Sequence, residues 1–334
     1  MPVLPPHPYL DHLRHQAKDL LRAARAGTAT LEKLTLANAQ LAVARGYGFA
    51  SWSRLRSEVE RRRVLDSRDP QLLAALLTDH PELAVEDMRG WADHGTIAPL
   101  SYVALMRCVV DEGVWRDMPG SGEVARQLIA AGAVVDGRPG DRETPLITAA
   151  SYGDADVAQV LIDAGASLDA ISAPNAGGVP SASAVMHAAV FGMTVVLDLL
   201  VAAGARIDSL SLAAAAGDLT GWALGEASGQ DKVLALIMAA DHQRLDVIDV
   251  LLGAGTPIDA EDEMFGRQAL RLAAERGRAR SVEHLLARGA DPRHGDPIHG
   301  LSALDWCRRG EATLRMSSDQ EEVERLLSDG LGNT

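Results

Sequence analysis

The chain has 334 residues, of which 47% are hydrophobic and only 4% are aromatic, and its formal net charge is −14. The apolar fraction is sufficient for a buried core, so the composition excludes a wholly disordered chain. No apolar run approaches the roughly 20 residues that cross a bilayer, so we expect no membrane contact. The two cysteines, Cys108 and Cys307, are not in a CxxC motif, which predicts a reduced, cytoplasmic protein.

Charge is unevenly distributed along the chain. Residues 1–65 carry 11 basic and 5 acidic side chains, whereas residues 66–334 carry 21 basic and 41 acidic ones. We therefore predict a basic N-terminal module over residues 1–65 and an acidic second domain over residues 66–334. Arginine accounts for 29 of the 32 basic residues, a bias that is typical of GC-rich genomes and indicates a bacterial source.

The N-terminal module reads as three helices. Apolar residues recur at helical spacing over residues 9–26, where Gly27 ends the pattern, and again over residues 31–45. A third helix follows Trp52 and is predicted to end at residues 61–63. Each segment has one narrow apolar stripe that it cannot bury alone, which predicts a small helical bundle packed on the segment that follows.

From about residue 100 the sequence repeats itself. The clearest unit is residues 144–153 (TPLITAASYG), and residues 183–192, 234–243 and 268–277 follow the same pattern. Similar glycine-containing pairs end the units at spacings of 33, 39, 51 and 34 residues. These pairs are Gly132-Ala133, Gly165-Ala166, Gly204-Ala205, Gly255-Thr256 and Gly289-Ala290. The longest spacing needs an extra short unit, which residues 210–217 supply.

These units resemble the ankyrin repeat, a unit of about 33 residues with a Thr-Pro-Leu turn and two antiparallel helices. Pro145 suits the first position of a helix, and Thr144 beside it can cap free amides. The resemblance covers roughly residues 100–330, with residues 69–83 as an additional capping unit. It implies an all-α solenoid of about seven helix-turn-helix units, and the N-terminal module is similar to a helical lead-in found on many bacterial ankyrin-repeat proteins.

The predicted array is irregular in three places. Residues 114–122 (with Trp115), 172–181 and 218–230 (with Trp222) interrupt the period. Such interruptions give a binding surface its individual shape, or they reflect neutral drift in a tolerant solenoid.

The resemblance implies that the two residues before each unit's glycine face a concave binding groove. They are Asp111-Glu112, Ser151-Tyr152, Val190-Phe191, Ala215-Ala216, Asp241-His242, Glu275-Arg276 and Arg308-Arg309. Tyr152 and Phe191 are two of only 12 aromatic residues, and exposed aromatics are favoured anchors at interfaces. The alternative is that they cover neighbouring helices. His187 is a further groove candidate or a structural histidine, and Trp222 is a site residue or part of the core.

Signals for metal binding, catalysis and nucleic-acid binding are weak. The segment from His294 to His299 has ligand residue types, but its Pro and Gly fit a hairpin between units. No catalytic or phosphate-loop motif is present, so we expect no cofactor. Basic side chains at residues 54, 56 and 61–63 suit phosphate contacts, yet helix C-termini favour basic residues for dipole reasons alone.

The sequence therefore predicts a cytoplasmic scaffold that binds a protein partner through the concave groove and finger tips of the array. The alternative is an enzyme or small-molecule binder whose pocket lies at the irregular central units, around residues 187–242. A nucleic-acid regulator that binds through the basic N-terminal module is a less favoured third possibility. Eight binding residues are expected: Tyr152, His187, Phe191, Trp222, Asp241, His242, Glu275 and Arg276.

Overall fold

The regular structure of the protein is almost entirely helical, as the sequence predicts. The computed structural model describes residues 4–5, 7–89, 96–106, 119–314 and 319–332. In the described residues, one short antiparallel pair, β1 (Met88–Arg89) and β2 (Thr96–Ile97), is the only two-stranded sheet. None of the described helices is both long enough and apolar enough to span a membrane.

The chain divides into two compact units. The first contains the described residues up to Met106 together with Pro119–Pro139, and the second begins at Gly140. The first unit contains the 3₁₀ helix Pro81–Ala84 and the helices α1 (Leu10–Arg25), α2 (Leu36–Gly46), α3 (Trp52–Ser67), α4 (Pro70–Asp79), α5 (Pro99–Ala104) and α6 (Ser121–Ala130). The domain boundary at residue 65, which rests on charge, stays a prediction.

The second unit is built from helix pairs. Its helices are α7 (Pro145–Tyr152), α8 (Ala155–Asp163), α9 (Ala184–Val190), α10 (Thr194–Ala202), α11 (Leu210–Ala216), α12 (Gly229–Asp241), α13 (Leu245–Gly253), α14 (Ala269–Glu275), α15 (Ala279–Ala287), α16 (Ala303–Leu314) and α17 (Gln320–Gly332). Consecutive helices pack as pairs, such as α7 with α8 and α9 with α10. The extra helix α11, predicted from the long spacing, packs on α12.

Two of the predicted N-terminal helix bounds are wrong. α2 begins at Leu36, five residues later than predicted, because the Thr35 hydroxyl caps it by accepting the amide of Asn38 at 3.3 Å. α3 continues to Ser67 instead of ending at residue 63, since Val64 and Leu65 are buried and extend its apolar face.

A buried ionic cluster on α3 stabilises the first unit. Glu58 is 3% exposed, and its carboxylate pairs with Arg61 and with Arg62, whose Nε lies 3.0 Å from Oε1. Arg61 also donates to the Leu83 carbonyl at 3.0 Å, and Arg62 donates to the Pro5 carbonyl at 3.1 Å. The cluster therefore joins α3 to the 3₁₀ helix and to the N-terminal segment.

The second unit confirms the predicted turn chemistry of residues 144–153. Pro145 is the first residue of α7, and the Thr144 hydroxyl accepts the amide of Ile147 at 3.2 Å. Gly153 then ends the helix with φ of 73°, a left-handed conformation that favours glycine. Ala149 and Ala150 are completely buried, which lets the neighbouring helix α9 approach α7 closely.

Candidate functional site

Two loops of the second unit share the same design. We name residues 261–268, which precede α14, finger A, and residues 295–302, which precede α16, finger B. Each finger has a buried aspartate at its second position, Asp262 or Asp296, and a glycine four residues later. Because the fingers are 34 residues apart, one unit of the array, they occupy equivalent positions in neighbouring helix pairs.

The buried aspartate organises each finger by accepting main-chain amides. The carboxylate of Asp262 accepts the amides two, three and five positions further along, at 3.0, 2.8 and 3.1 Å. The carboxylate of Asp296 accepts the amides at the same three positions of finger B, at 3.0, 2.7 and 2.8 Å. Aspartate favours such turns because its short side chain reaches the backbone amides that follow it. Both loops are therefore preformed.

These hydrogen bonds favour the ionised form of both carboxyls. Burial acts to raise the pKa of Asp296, but three backbone amides and the Trp306 indole, 3.3 Å away, outweigh it and hold the pKa well below its usual range. Burial also acts to raise the pKa of Asp262. The Arg267 guanidinium, 2.8 Å away, and the amides of finger A outweigh burial and lower this pKa.

The depressed pKa of Asp296 predicts a loss of stability in acid. In the unfolded chain this carboxyl has a pKa near its ordinary value of 3.8, so on acidification the unfolded state binds the proton first. We therefore expect the free energy of unfolding to begin falling near pH 4–5 and to fall further towards the lower, folded-state pKa.

Asp296→Asn should lower the free energy of unfolding at neutral pH and reduce its decrease in acid. Denaturant titrations across the pH range would measure the free energy of unfolding. The control is Glu263→Gln, which removes an exposed carboxylate from finger A. Equal slopes in the wild type and Asp296→Asn would contradict the assignment.

The fingers present apolar side chains to solvent. Met264 and Phe265 at the tip of finger A are 79% and 61% exposed, and Ile298 of finger B is 73% exposed. The Arg267 guanidinium lies 4.9 Å from the centroid of the Phe265 ring, which is a cation–π distance. Neighbouring exposed apolar side chains mark interaction sites more often than single ones do. The finger tips are therefore the strongest candidate for a contact surface.

A cavity of about 110 Å³ lies between the two fingers. Phe265 and Ile298 line it from the fingers, whereas Leu272, Glu275 and Trp306 line it from α14 and α16. Sites for small-molecule ligands usually enclose roughly 300–1,000 Å³. A cavity of this size instead suits a single side chain of a larger partner.

The arginines beside this cavity are neutralised within the fold. Arg271 is buried and donates to the Glu261 carboxylate at 2.5 Å and to the Gly266 carbonyl at 2.7 Å. Arg267 forms an ion pair with Asp262 at 2.8 Å. The cavity therefore has little net positive charge from its own arginines.

Glu275, one of the predicted binding residues, is half-buried at the end of α14 and lines the cavity. Among the described residues, none forms a hydrogen bond or an ion pair with its carboxylate, and only its main-chain carbonyl is bonded, by Gln320 at 3.3 Å. Burial raises the pKa of this carboxyl, although the charges of Arg276 and Arg309 act in the opposite direction.

His187 is completely buried, so its place among the expected binding residues is wrong and the alternative, a structural histidine, is favoured. Its Nδ1 lies 2.8 Å from the Ser151 hydroxyl, and its Nε2 lies 2.9 Å from the Val179 carbonyl. Burial lowers the pKa of the imidazole, so the neutral ring donates from Nε2 and accepts the serine proton at Nδ1. A hydroxyl bonded to a neutral imidazole suits nucleophilic chemistry, but Gly178 closes over the ring and leaves no room for a substrate.

Asp241 is likewise buried and cannot face a groove as predicted. Its carboxylate forms ion pairs with Arg276 and with Arg278, whose Nε is 3.3 Å from Oδ1. The two arginines also donate to the carbonyls of Val190 and Gly192, at 2.9 and 2.6 Å. Asp241 and Arg276 therefore join three units of the array.

His242 is 1% exposed and is a third correction to the predicted groove. Its Nδ1 is 2.9 Å from the Thr194 hydroxyl, and its Nε2 is 2.9 Å from the Ala189 carbonyl. Burial lowers the pKa of this imidazole. Because His187 and His242 use both ring nitrogens inside the fold, the predicted pocket around residues 187–242 does not gather free histidines.

The predicted aromatic residues are half-buried. Tyr152 is the last residue of α7, and Phe191 follows α9 with its ring centroid 6.1 Å from that of His187. Trp222 packs against the core of the second unit, which favours the alternative that it is a core residue. Asp111, Glu112 and Trp115 lie outside the described residues.

The basic side chains considered for phosphate binding do not form one free surface. Arg61 and Arg62 are buried against Glu58. Arg54 pairs with Glu86 at 2.9 Å, and Arg63 pairs with Glu60 at 2.6 Å. These arginines therefore have carboxylate partners within the fold, although exposed pairs such as those of Arg54 and Arg63 contribute little to stability.

No group of three or more His, Cys, Asp or Glu side chains suited to a metal ion is present in the part of the chain that the structure describes. His294 and His299 instead lie near carboxylates of the fingers, 3.3 Å from Glu261 and 3.3 Å from Asp296.

A comparison with protein-family models matches residues 141–173 to the ankyrin repeat. These residues contain α7 and α8 with their flanking turns, and the pairs α9/α10, α12/α13 and α14/α15 repeat the same arrangement. The chain therefore contains an ankyrin repeat. The solved structures that resemble it include the crystal structure of the human ASB11 ankyrin repeat domain, at 20% identity over 70% of this chain and 98% of that chain, with a TM-score of 0.34. A search of curated proteins found no match.

The sequence predicts binding through a concave groove and finger tips, but none of the eight expected binding residues lies in finger A or finger B. Most of the expected residues lie at helix ends, just before the glycine of a unit. Met264, Phe265 and Ile298 instead lie in the loops before the first helices of two units. A signal was present, because Asp-x-x-x-Gly-x-x-Ala-Leu recurs 34 residues apart at Asp262 and Asp296. Apolar residues inside such a loop have no helix face to cover.

Proposed function

We propose that this ankyrin-repeat protein is an interaction module that binds a protein partner through finger A, finger B and the cavity between them. The observation that carries the proposal is the exposure of Met264, Phe265 and Ile298 on loops that buried aspartates hold in shape. Preformed apolar anchors lose little conformational entropy on binding, which favours affinity. Ankyrin repeats in general mediate protein–protein interaction, and the proposal assigns that role to a specific surface.

Three features predicted from the sequence belong to the same proposal. Tyr152 and Phe191, both half-buried at helix ends, extend the contact surface along the array. The cysteine content supports a cytoplasmic location, and the arginine bias supports a bacterial source. The cavity is too small for most metabolites, so its size favours a protein partner over a small molecule.

The test begins with a partner captured by the full chain from its source cells and then purified. We expect Phe265→Ser with Ile298→Ser to weaken the affinity about tenfold or more, because both anchors lose apolar contact area. Isothermal titration calorimetry would measure the change. The groove variant, Tyr152→Ala with Phe191→Ala, should also weaken capture if these rings extend the surface.

The matched control is Val195→Ser with Val250→Ser. These valines are 65% and 50% exposed on α10 and α13, the second helices of their pairs, and neither lines the cavity. This variant should bind like the wild type and show an unchanged unfolding transition. Full affinity in the finger variant, or an equal loss in the control, would contradict the proposed surface.

A further inference from the structure

The cavity between the fingers contains an acidic group with no hydrogen bond or ion pair in the described fold, although the charges of Arg276 and Arg309 act on it. Glu275 lines it, and its carboxylate has no hydrogen-bonding or ionic partner among the residues that the structure describes. The other acidic lining residue, Asp296, accepts three amides of its own finger and the Trp306 indole. Within the described lining, Glu275 is therefore the carboxylate with free acceptor capacity.

The basic residues of the lining are already paired. Arg267 is committed to Asp262, and Arg271 to Glu261 and to the Gly266 carbonyl. Neither is available to satisfy Glu275.

Of the two arginines that act on Glu275 from outside the lining, Arg276 is paired with Asp241, and Arg309 lies over the Trp306 ring, 5.0 Å from its centroid. The surrounding chain is acidic, since residues 66–334 contain 41 acidic and 21 basic side chains. The acidic excess of the chain favours a cationic group in the cavity.

The walls of the cavity suit an aliphatic stem. Leu272, Phe265, Pro297 and Ile298 supply apolar surface, and the Trp306 ring forms part of the opposite wall. Lysine and arginine side chains combine a long apolar stem with a charged end, so they bury the stem while the charge meets a carboxylate. The volume of about 110 Å³ accommodates one such side chain.

We propose that the cavity between fingers A and B is a recognition pocket for one lysine or arginine side chain of the protein partner, with the Glu275 carboxylate accepting its charge. This inference rests on the proposed function, because it names what the partner inserts between the fingers. A half-buried carboxylate without a partner is costly, and a charge-assisted hydrogen bond to the incoming cation removes that cost. The pocket thus supplies specificity, while the apolar finger tips supply contact area.

The probes for the test are linear peptides, selected from a random phage-displayed library on the full-length protein and then synthesised. We expect the binders to share one Lys or Arg flanked by apolar residues. Replacement of that basic residue by methionine, which keeps an apolar stem of similar length, should weaken binding about tenfold or more. Glu275→Gln should cause a comparable loss, and combining the two changes should cost little more than either alone.

The control variant is Glu263→Gln, which removes the same charge from an exposed position on finger A that does not line the cavity. It should leave peptide affinity within about twofold of the wild type, as expected for a screened surface charge. An equal loss in Glu263→Gln would show that general acidity, and not the pocket, attracts the peptide, and it would overturn the inference.

The remaining outcomes separate this inference from the proposed function. Peptides that lose affinity in Phe265→Ser with Ile298→Ser but not in Glu275→Gln would overturn the basic-residue pocket and leave the finger surface intact. If neither variant changes peptide affinity, or if the library contains no binder, both the basic-residue pocket and the finger surface would be contradicted. Glu275→Gln should unfold no more readily than the wild type, because no bond within the described fold depends on this carboxylate and the substitution removes a half-buried charge.

Discussion

Replacing Glu58 with alanine is expected to lower the free energy of unfolding of the first unit by about 3–5 kcal/mol. Glu58 is the only carboxylate within the described structure that bonds Arg61 or Arg62, and these side chains are 3% and 1% exposed. Without it, two guanidinium charges stay buried with carbonyl oxygens as their remaining partners. The cost arises from those uncompensated charges and not only from the lost pairs.

The control lies on the same helix. Glu60 and Arg63 form an (i, i+3) pair like that of Glu58 and Arg61, but both members are about half exposed. Glu60→Ala should therefore change the free energy of unfolding by less than about 1 kcal/mol. Urea denaturation of the full chain, combined with native-state hydrogen exchange of the α3 amides, would measure both variants. Similar values for Glu58→Ala and Glu60→Ala would refute the structural role of the buried cluster.

Replacing Gly310 with alanine is expected to destabilise the second unit by about 3 kcal/mol or more. Alanine normally stabilises the interior of a helix by up to about 1 kcal/mol relative to glycine, so the expected sign is reversed. The reason is close packing of α16 on α14, because a Cβ at Gly310 would overlap the main-chain carbonyl of Glu275. Backbone cannot move aside as a flexible side chain can, so the two helices would have to separate.

Gly253 provides the matched comparison. It is the last residue of α13, and a Cβ there would meet no atom within 4 Å. Gly253→Ala should therefore be neutral or slightly stabilising. Thermal and urea unfolding of the two variants would give the difference directly. A neutral Gly310→Ala would show that α14 and α16 do not approach each other as described.

Several elements were predictable because their causes are local. Thr144, Pro145 and Gly153 define the start and end of α7 through capping, a fixed φ and a left-handed turn, all within ten residues. The extra helix α11 followed from one irregular spacing. The predicted start of α2 was wrong because the apolar pattern begins at residue 31, before the residue that caps the helix. Thr35 is that cap, and Leu34 in the earlier part of the pattern is exposed.

The candidate site was harder to predict. The sequence predicted His187, Asp241 and His242 as binding residues, and the structure buries all three against other units. Polar residues near a helix end serve equally well as surface ligands or as ties between stacked helices, and the local sequence does not distinguish these roles. Glu275 was expected as a binding residue, and its place in the cavity leaves that expectation as a prediction with a defined test.

By itself, the sequence determined the helical class and the caps of α7, because these depend on residues fewer than about ten positions apart. It also determined the repeat period, because similar segments recur about 33 residues apart. Only the tertiary structure decided which charged groups are buried and which stay unsatisfied. Asp241 forms an ion pair with Arg276 from 35 positions away, whereas Glu275, which precedes Arg276 in the chain, lines a cavity between two fingers. Burial depends on how the units stack, so the two carboxylates Asp241 and Glu275 have different roles.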